Sequence, residues 1–322
     1  MKFKSLKAEG EAVKLILAFL DEQLAQINFD KTYLNKLKVH KILYNTIEEL
    51  ELDITRSWYK RGSFVWSCWS EGLDKQFLRA TFLDMVNPEI LSIMPSKDKI
   101  IRAINSSLSK YHILFKKTHA YLEDLYMKGA PDEFQEIYYT NFAFKERTEE
   151  FIYEVRSKFG VSLETFLDEK TPINSDYVSS AITKLHLALS CVKPASSIVI
   201  DYTTLFEELL IGIEEKGNKD ELRPEHVDFI EKMFEFYDNN VWSLPAKIIT
   251  ERTIKGANKD VILRMLDSKF PHLIQTVSLK KEEFETTALE MDLFPSENYL
   301  AKRVNLDETA KLYLQYTREN TI

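Results

Sequence analysis

Along most of this chain the apolar residues recur at intervals of three and four, the period of a helix with one buried face. Val13, Leu17, Leu20, Leu24 and Ile27 share one side of a segment at 11–27, which predicts the first helix. Asp30, a residue type that caps helix N-termini, stands before a second run formed by Leu34, Leu37, Ile42, Leu43, Ile47 and Leu50. The rhythm fails at 53–68, where aromatic and basic residues crowd together around Gly62, and an ordered loop or a short extended ribbon near 54–68 is expected instead. It resumes at 73–86. After the turn at Pro95 and Ser96, one long helix is predicted: Ile101, Ile104, Leu108, Tyr111, Phe115 and Leu122 occupy one sector and Lys99, Arg102, Lys110 and Lys117 the opposite one. Gly129, Ala130, Pro131 and Asp132 place a helix-ending glycine before a helix-starting proline, which marks a boundary between helices and between domains. Further helices are predicted at 133–159, 163–168, 175–192, 198–215, 224–239, 245–253, 259–270, 279–290 and 306–318.

Composition agrees with this reading. The chain has 8 glycines in 322 residues, well under the usual share of about 7%. Folds rich in hairpins, dinucleotide-binding folds and phosphate-cradling loops need more. The expected class is all-α, either two helical domains or one elongated helical array; no repeat at a fixed period of about 30–45 residues supports a solenoid. The longest apolar run, 15–20, is far short of the roughly 20 residues of a membrane span, so no membrane partner is expected. The basic start runs into Glu9, Gly10 and Glu11 before any apolar stretch, unlike a signal peptide. Two cysteines, Cys68 and Cys191, supply no disulfide framework. Together these features predict a cytoplasmic location.

Charge divides the chain unevenly. Net charge is −8, yet residues 1–128 hold 20 Lys and Arg against 16 Asp and Glu. The prediction is a mildly basic N-terminal helical domain, 1–128, followed by an acidic C-terminal one, 129–322. An acidic total argues against a surface that embraces nucleic acid throughout. The four cations Lys99, Arg102, Lys110 and Lys117 would still form a stripe of about 27 Å on one straight helix, long enough to follow a phosphate backbone though sparse for that task.

Catalytic signatures are missing from the sequence. There is no His-Glu-x-x-His or Glu-x-x-His, no Gly-x-Ser-x-Gly and no phosphate loop. His112, His119 and Glu123 would share one helix edge, where histidines flanking a core are far commoner than metal ligands. Cys68 reads as a small buried side chain. The paired carboxylates at 207–208, 214–215 and 282–283 read as solvated faces. No catalytic residue, cofactor or metal is therefore expected.

One stretch bears a family likeness. Leu34-Asn35-Lys36-Leu37-Lys38-Val39-His40-Lys41-Ile42-Leu43-Tyr44, followed by Trp58-Tyr59-Lys60-Arg61-Gly62-Ser63-Phe64-Val65, resembles the Lys-Leu-Leu-Tyr helix and Trp-Lys-Tyr-Gly-Pro-Val segment of Panacea/SocA-like antitoxins. It departs from them at Ser63, where proline is expected, in the shorter spacing between the halves and in total length. The resemblance covers about 30 residues and implies a small helical domain that binds a partner protein, a toxin in that family, with no catalytic residue to carry over.

The residues support the same order of expectations. First comes a macromolecular interaction or regulatory protein, antitoxin-like, that meets a partner protein through Arg56, Trp58, Tyr59, Arg61, Phe64, Trp66 and Trp69, the composition of a binding hot spot. Second comes a nucleic-acid-binding protein that uses Lys99, Arg102, Lys110 and Lys117 on phosphates. A helical enzyme assembled from carboxylates with His119 or His186 ranks last. Burial of the tryptophans in an aromatic mini-core is the competing structural account.

Overall fold

The computed structural model describes residues 3–79, 82, 88–159, 172–193 and 195–303; the predicted helices at 163–168 and 306–318 lie outside them. The elements in chain order are α1 (Leu6–Gln26), α2 (Lys36–Glu49), β1 (Arg56–Tyr59), β2 (Gly62–Val65), α3 (Trp66–Ser70), α4 (Leu73–Phe77), α5 (Pro88–Leu91) and α6 (Lys97–Ser109). They continue with α7 (Thr118–Gly129), α8 (Asp132–Ser157), α9 (Asp176–Ala188), α10 (Ser196–Asn218), α11 (Pro224–Phe236), α12 (Ser243–Thr253) and α13 (Lys259–Glu290). The fold is all-α with a two-stranded antiparallel ribbon. No described helix is long and apolar enough to cross a membrane.

Two compact units divide the protein. The first gathers 1–142, 188–195 and 242–273, and Gly129 lies inside it; the second gathers 143–187, 196–241 and 274–322.

In the first unit α1 starts at Ser5, whose hydroxyl accepts the Ala8 N–H. It is buried nearly all round, from Ala12 and Val13 to Leu20 and Leu24, as a helix in the middle of a bundle must be. α2, α3, α4, α5 and α6 pack around it. α2 begins at Lys36 with Asn35 as its cap, while Asp30 caps a single 3-10 turn at Lys31–Tyr33.

The ribbon at 54–68 is a hairpin in the register Arg56↔Val65, Ser57↔Phe64, Trp58↔Ser63 and Tyr59↔Gly62. Gly62 has φ +85°, and a Cβ there would lie 3.1–3.3 Å from the side chains of Trp58, Tyr126 and Leu125. The outer edge of β1 is closed by residues nearly 200 positions away. Arg56 exchanges two backbone hydrogen bonds with Lys255, each 2.9 Å. The Trp58 N–H donates to Thr253 Oγ1 and the Trp58 carbonyl accepts from Thr250 Oγ1, also at 2.9 Å. The Trp242 indole N–H reaches the Lys60 carbonyl in the turn.

Beneath the hairpin, the fully buried Glu9 carboxylate of α1 accepts the Thr55 N–H, the Thr55 hydroxyl and the Asn258 amide at 2.7–2.9 Å. Gly256 makes that junction possible. Its φ is +116°, and a Cβ would stand 2.4 Å from Thr55 Cα.

The second unit is centred on α10, whose Val199, Tyr202, Phe206, Leu209 and Leu210 are buried. The Phe144 ring meets Phe206, Phe234 and Tyr237 edge-on. The carboxylates at 214–215 are not a solvated face. Glu214 accepts from the Ser175 N–H and hydroxyl, the Tyr299 hydroxyl and Arg303, and Glu215 accepts from Lys219 and from the Ser296 N–H and hydroxyl. These bonds fasten the segment before α9 and the helical stretch that begins at 297 onto α10.

Two predicted helices have different bounds. The long helix at 96–128 is two: α6 stops at Ser109, Lys110 is extended, His112 takes a left-handed φ of +53°, and α7 begins at Thr118. Phe115, placed by the helical wheel on the buried side, is 82% exposed in the connection. Conversely, α13 runs unbroken through Pro271 where two helices were expected.

Replacing Gly256 with alanine forces a side chain into left-handed backbone and onto the Thr55 main chain. A loss of about 2–4 kcal/mol is expected, read as a lower midpoint in urea unfolding. An unchanged midpoint would mean that the junction at Thr55 is not close-packed.

Candidate functional site

A cleft of the first unit, about 580 Å³, lies between α2, the hairpin, the end of α6 and the α7–α8 turn. Tyr44, Asn45, Glu48 and Glu49 of α2 supply one wall, Trp58 and Ser63 of the hairpin the next, Ser106 and Lys110 the third, and Leu125, Ala130, Pro131 and Lys255 complete the rim. Tyr44 and Glu48 are four apart on α2, and Trp58 and Ser63 are a cross-strand pair. Regular geometry thus puts each pair side by side.

Glu48 is the electrostatic centre. Its Oε1 accepts from Arg56 Nε at 2.7 Å and lies 3.6 Å from Lys255 Nζ. Burial pushes the Glu48 carboxyl up, but the Arg56 guanidinium and the Lys255 ammonium outweigh it and hold the group below the usual carboxylate range. Arg56 also donates to the Leu52 and Ile54 carbonyls, 2.9 and 2.8 Å. Its position is therefore fixed by four groups, counting the backbone exchange with Lys255. Burial, then the charge of Glu48, pushes the Tyr44 phenol up to about 12.

The remaining polar groups are less well satisfied. Asn45 Oδ1 accepts from Lys110 Nζ at 3.2 Å, while Asn45 Nδ2 is buried without a partner among the described residues. Ser63 is 2% exposed, and its hydroxyl likewise has no partner among the described residues. The Ser63 carbonyl, by contrast, accepts from the wholly buried Lys41 at 2.5 Å. Burial, together with the charge of Arg61, drives the Lys41 amine well below its ordinary value. A buried polar atom with no hydrogen bond costs about 1–3 kcal/mol, so two among the residues that line one cleft call for an explanation.

The seven residues of the hairpin and α3 expected to form an exposed contact patch do not form one. Arg56, Trp58 and Trp66 are buried; Tyr59 and Phe64 are half-buried; Arg61 and Trp69 are exposed. The Trp66 indole is bound to Ser57 Oγ, Phe64 stacks on His40 at 4.2 Å, and Trp69 stands edge-on to Trp66. These rings build the aromatic core, and Trp58 also lines the cleft. The phosphate stripe fails for a different reason. Lys99, Arg102, Lys110 and Lys117 are not buried, but the break after Ser109 removes the straight helix that would align them. Lys110 is turned to Asn45 instead.

Other candidates fare similarly. His112 and His119 fall on separate elements, and the His119 ring packs 4.5 Å from Phe142. Among the described residues no three His, Cys, Asp or Glu are placed to hold a metal. Cys68 is buried, and burial with the charge of Asp74 raises its thiol well above the ordinary value, the opposite of an activated nucleophile. In the second unit His186 is bound to Thr203 Oγ1 at 2.7 Å.

His40 carries a pH dependence. Its Nδ1 accepts the Val65 N–H at 3.3 Å, and burial lowers its pKa against the opposing pull of Asp74. The unfolded protein therefore takes up this proton at higher pH than the folded one. The contribution is whole above about pH 6.5 and is lost as pH falls through the folded value. Urea midpoints measured between about pH 7 and pH 5 should fall less steeply for His40→Gln than for the parent; parallel curves would contradict this assignment.

A family model described as Domain of unknown function (DUF8098) matches residues 1–317. No curated protein and no solved structure matches the sequence.

Proposed function

Since the chain belongs to the DUF8098 family, whose description assigns no activity, we propose from the cleft of the first unit that it is a protein-interaction module, which receives a polar group of a partner protein there. The observation that carries this reading is the open, charged lining of the cleft, where Glu48, Glu49, Lys110 and Lys255 stand around Tyr44 and Trp58.

The character of the cleft supports a macromolecular occupant. Small-molecule sites are mostly apolar and enclose most of their ligand. This one is open and lined by two lysines, two glutamates, serines and an asparagine, a composition that suits one polar tip whose remaining contacts lie on a rim. The likeness to Panacea/SocA-like antitoxins points the same way, because its two halves are α2 with the segment before it and the hairpin, the elements that contribute Tyr44, Trp58 and Ser63. The contact surface proposed here is the cleft those elements wall, and not the aromatic rings they bury.

Ser106 is exposed and lines the cleft, so Ser106→Trp fills the opening without entering the core. Affinity purification from the host with the parent and with this variant, at equal thermal stability, should show at least one protein depleted tenfold or more by the substitution. That protein, once purified, should bind the parent directly. An identical co-purifying set would overturn the reading.

A further inference from the structure

The hairpin has two outer edges, and different chemistry closes them. In the pairs Arg56↔Val65 and Trp58↔Ser63 the main-chain polar groups point outward, away from the facing strand. On the β1 side they meet the Lys255 main chain and two threonine hydroxyls, groups that do not titrate near neutral pH. On the β2 side they meet two consecutive bases of α2. His40 Nδ1 accepts the Val65 N–H at 3.3 Å, and Lys41 Nζ donates to the Ser63 carbonyl. An amine donates whether or not it is charged, but an imidazole nitrogen accepts only while it carries no proton. Nδ1 of His40 is therefore bare, and the proton of the neutral ring sits on Nε2, 3.7 Å from Asp74 Oδ2. A second proton has one place to go, Nδ1, where it faces the Val65 N–H.

From this we propose that His40 is a proton-operated latch on the β2 edge: when Nδ1 takes up a proton, β2 parts from α2 while the Lys255 side of the hairpin stays closed. His40 and Lys41 are both buried, and the His40 ring is stacked on Phe64, so the Val65 N–H finds no other acceptor until the strand moves. The charges that act on the ring are Asp74 of α4, which favours the second proton, and Lys41, which opposes it. Arg61 of the hairpin turn acts on Lys41, while Lys36 and the Cys68 thiol of α3 interact with Asp74. Among the described residues α1 and α6, which also pack on α2, bring no charge to His40. Burial outweighs the pull of Asp74 and lowers the pKa of the ring in the closed form. The open form takes the proton near the ordinary value of about 6.5, so opening is favoured as pH falls below it. Ser63 lines the cleft, and the same step moves that wall whatever the cleft receives.

Amide exchange in the full-length protein, corrected for the intrinsic effect of pH on exchange, reads the latch. Between about pH 7 and pH 5.5, opening at the Val65 amide should rise about five- to eightfold more in the parent than in His40→Asn, the range that one ordinary imidazole supplies. The asparagine carboxamide offers the N–H an acceptor that does not titrate, and Lys41, present in both proteins, cancels. Equal rises overturn the role of His40. At the acidic end the parent's Val65 amide should open at least tenfold more often than those of Arg56 and Trp58, with little dependence on low urea. Equal opening of the three amides would mean that the whole unit unfolds at once, and overturns the latch. Where His40→Asn does not fold, the 15N ring resonances of His40 in the parent decide: the Nε2–H tautomer is expected at neutral pH, and the Nδ1–H tautomer overturns the proposal.

Discussion

A two-stranded ribbon inside a helical unit has an edge problem, and its solution organises much of the first unit. β2 satisfies only one side of β1, and the outward N–H and C=O groups of a buried strand cost free energy unless they are bonded. Arg56 and Trp58 meet this demand through Lys255, Thr250 and Thr253. Segments far apart in sequence are thereby held together. The Glu9 carboxylate then binds Thr55 and Asn258 from below, and at position 256 glycine is the residue type that fits the turn without strain.

The cleft follows from the same closure. Once the backbone of Arg56 is fixed against Lys255, its guanidinium is buried and must be neutralised, and Glu48 one helix away does so. A buried ion pair is weak evidence of stability in itself, but it leaves a defined charge at a defined place. Lys255 arrives beside it because its own backbone completes the strand edge. The polar lining is thus largely a by-product of how the ribbon was closed. The two atoms left unbonded, on Asn45 and Ser63, are where structural demand alone gives no account.

Much of the helical architecture was legible in the sequence, since a buried face must repeat every three to four residues. α1, α2, α8, α10 and α12 stand where their apolar periodicity puts them, and the crowded aromatic segment is the expected ribbon. The break after Ser109 was not legible: Tyr111 and Phe115 keep helical phase, and nothing local announces that Lys110 becomes extended and His112 left-handed. At α13 the miss runs the other way: the helix passes Pro271 because a proline removes one hydrogen bond, and the apolar face beyond it, Val277 and Phe284, is still buried. Glu214 and Glu215 looked solvated because their partners, Ser175, Ser296, Tyr299 and Arg303, lie well away in sequence. For the site, Trp58 and Lys110 were singled out for two different roles and meet at one cleft. Tyr44 and Glu48 left a faint signal in their four-residue spacing, and Lys255, about 200 residues away, left none.

Closure of the β1 edge is the claim on which the cleft depends, and native-state hydrogen exchange tests it residue by residue. The amides of Arg56 and Trp58 should exchange only through global unfolding, with a urea dependence equal to that of the whole first unit. Exchange of these two amides by local opening, at a rate insensitive to low urea, would mean that the edge is unlocked and that the cleft has no fixed wall.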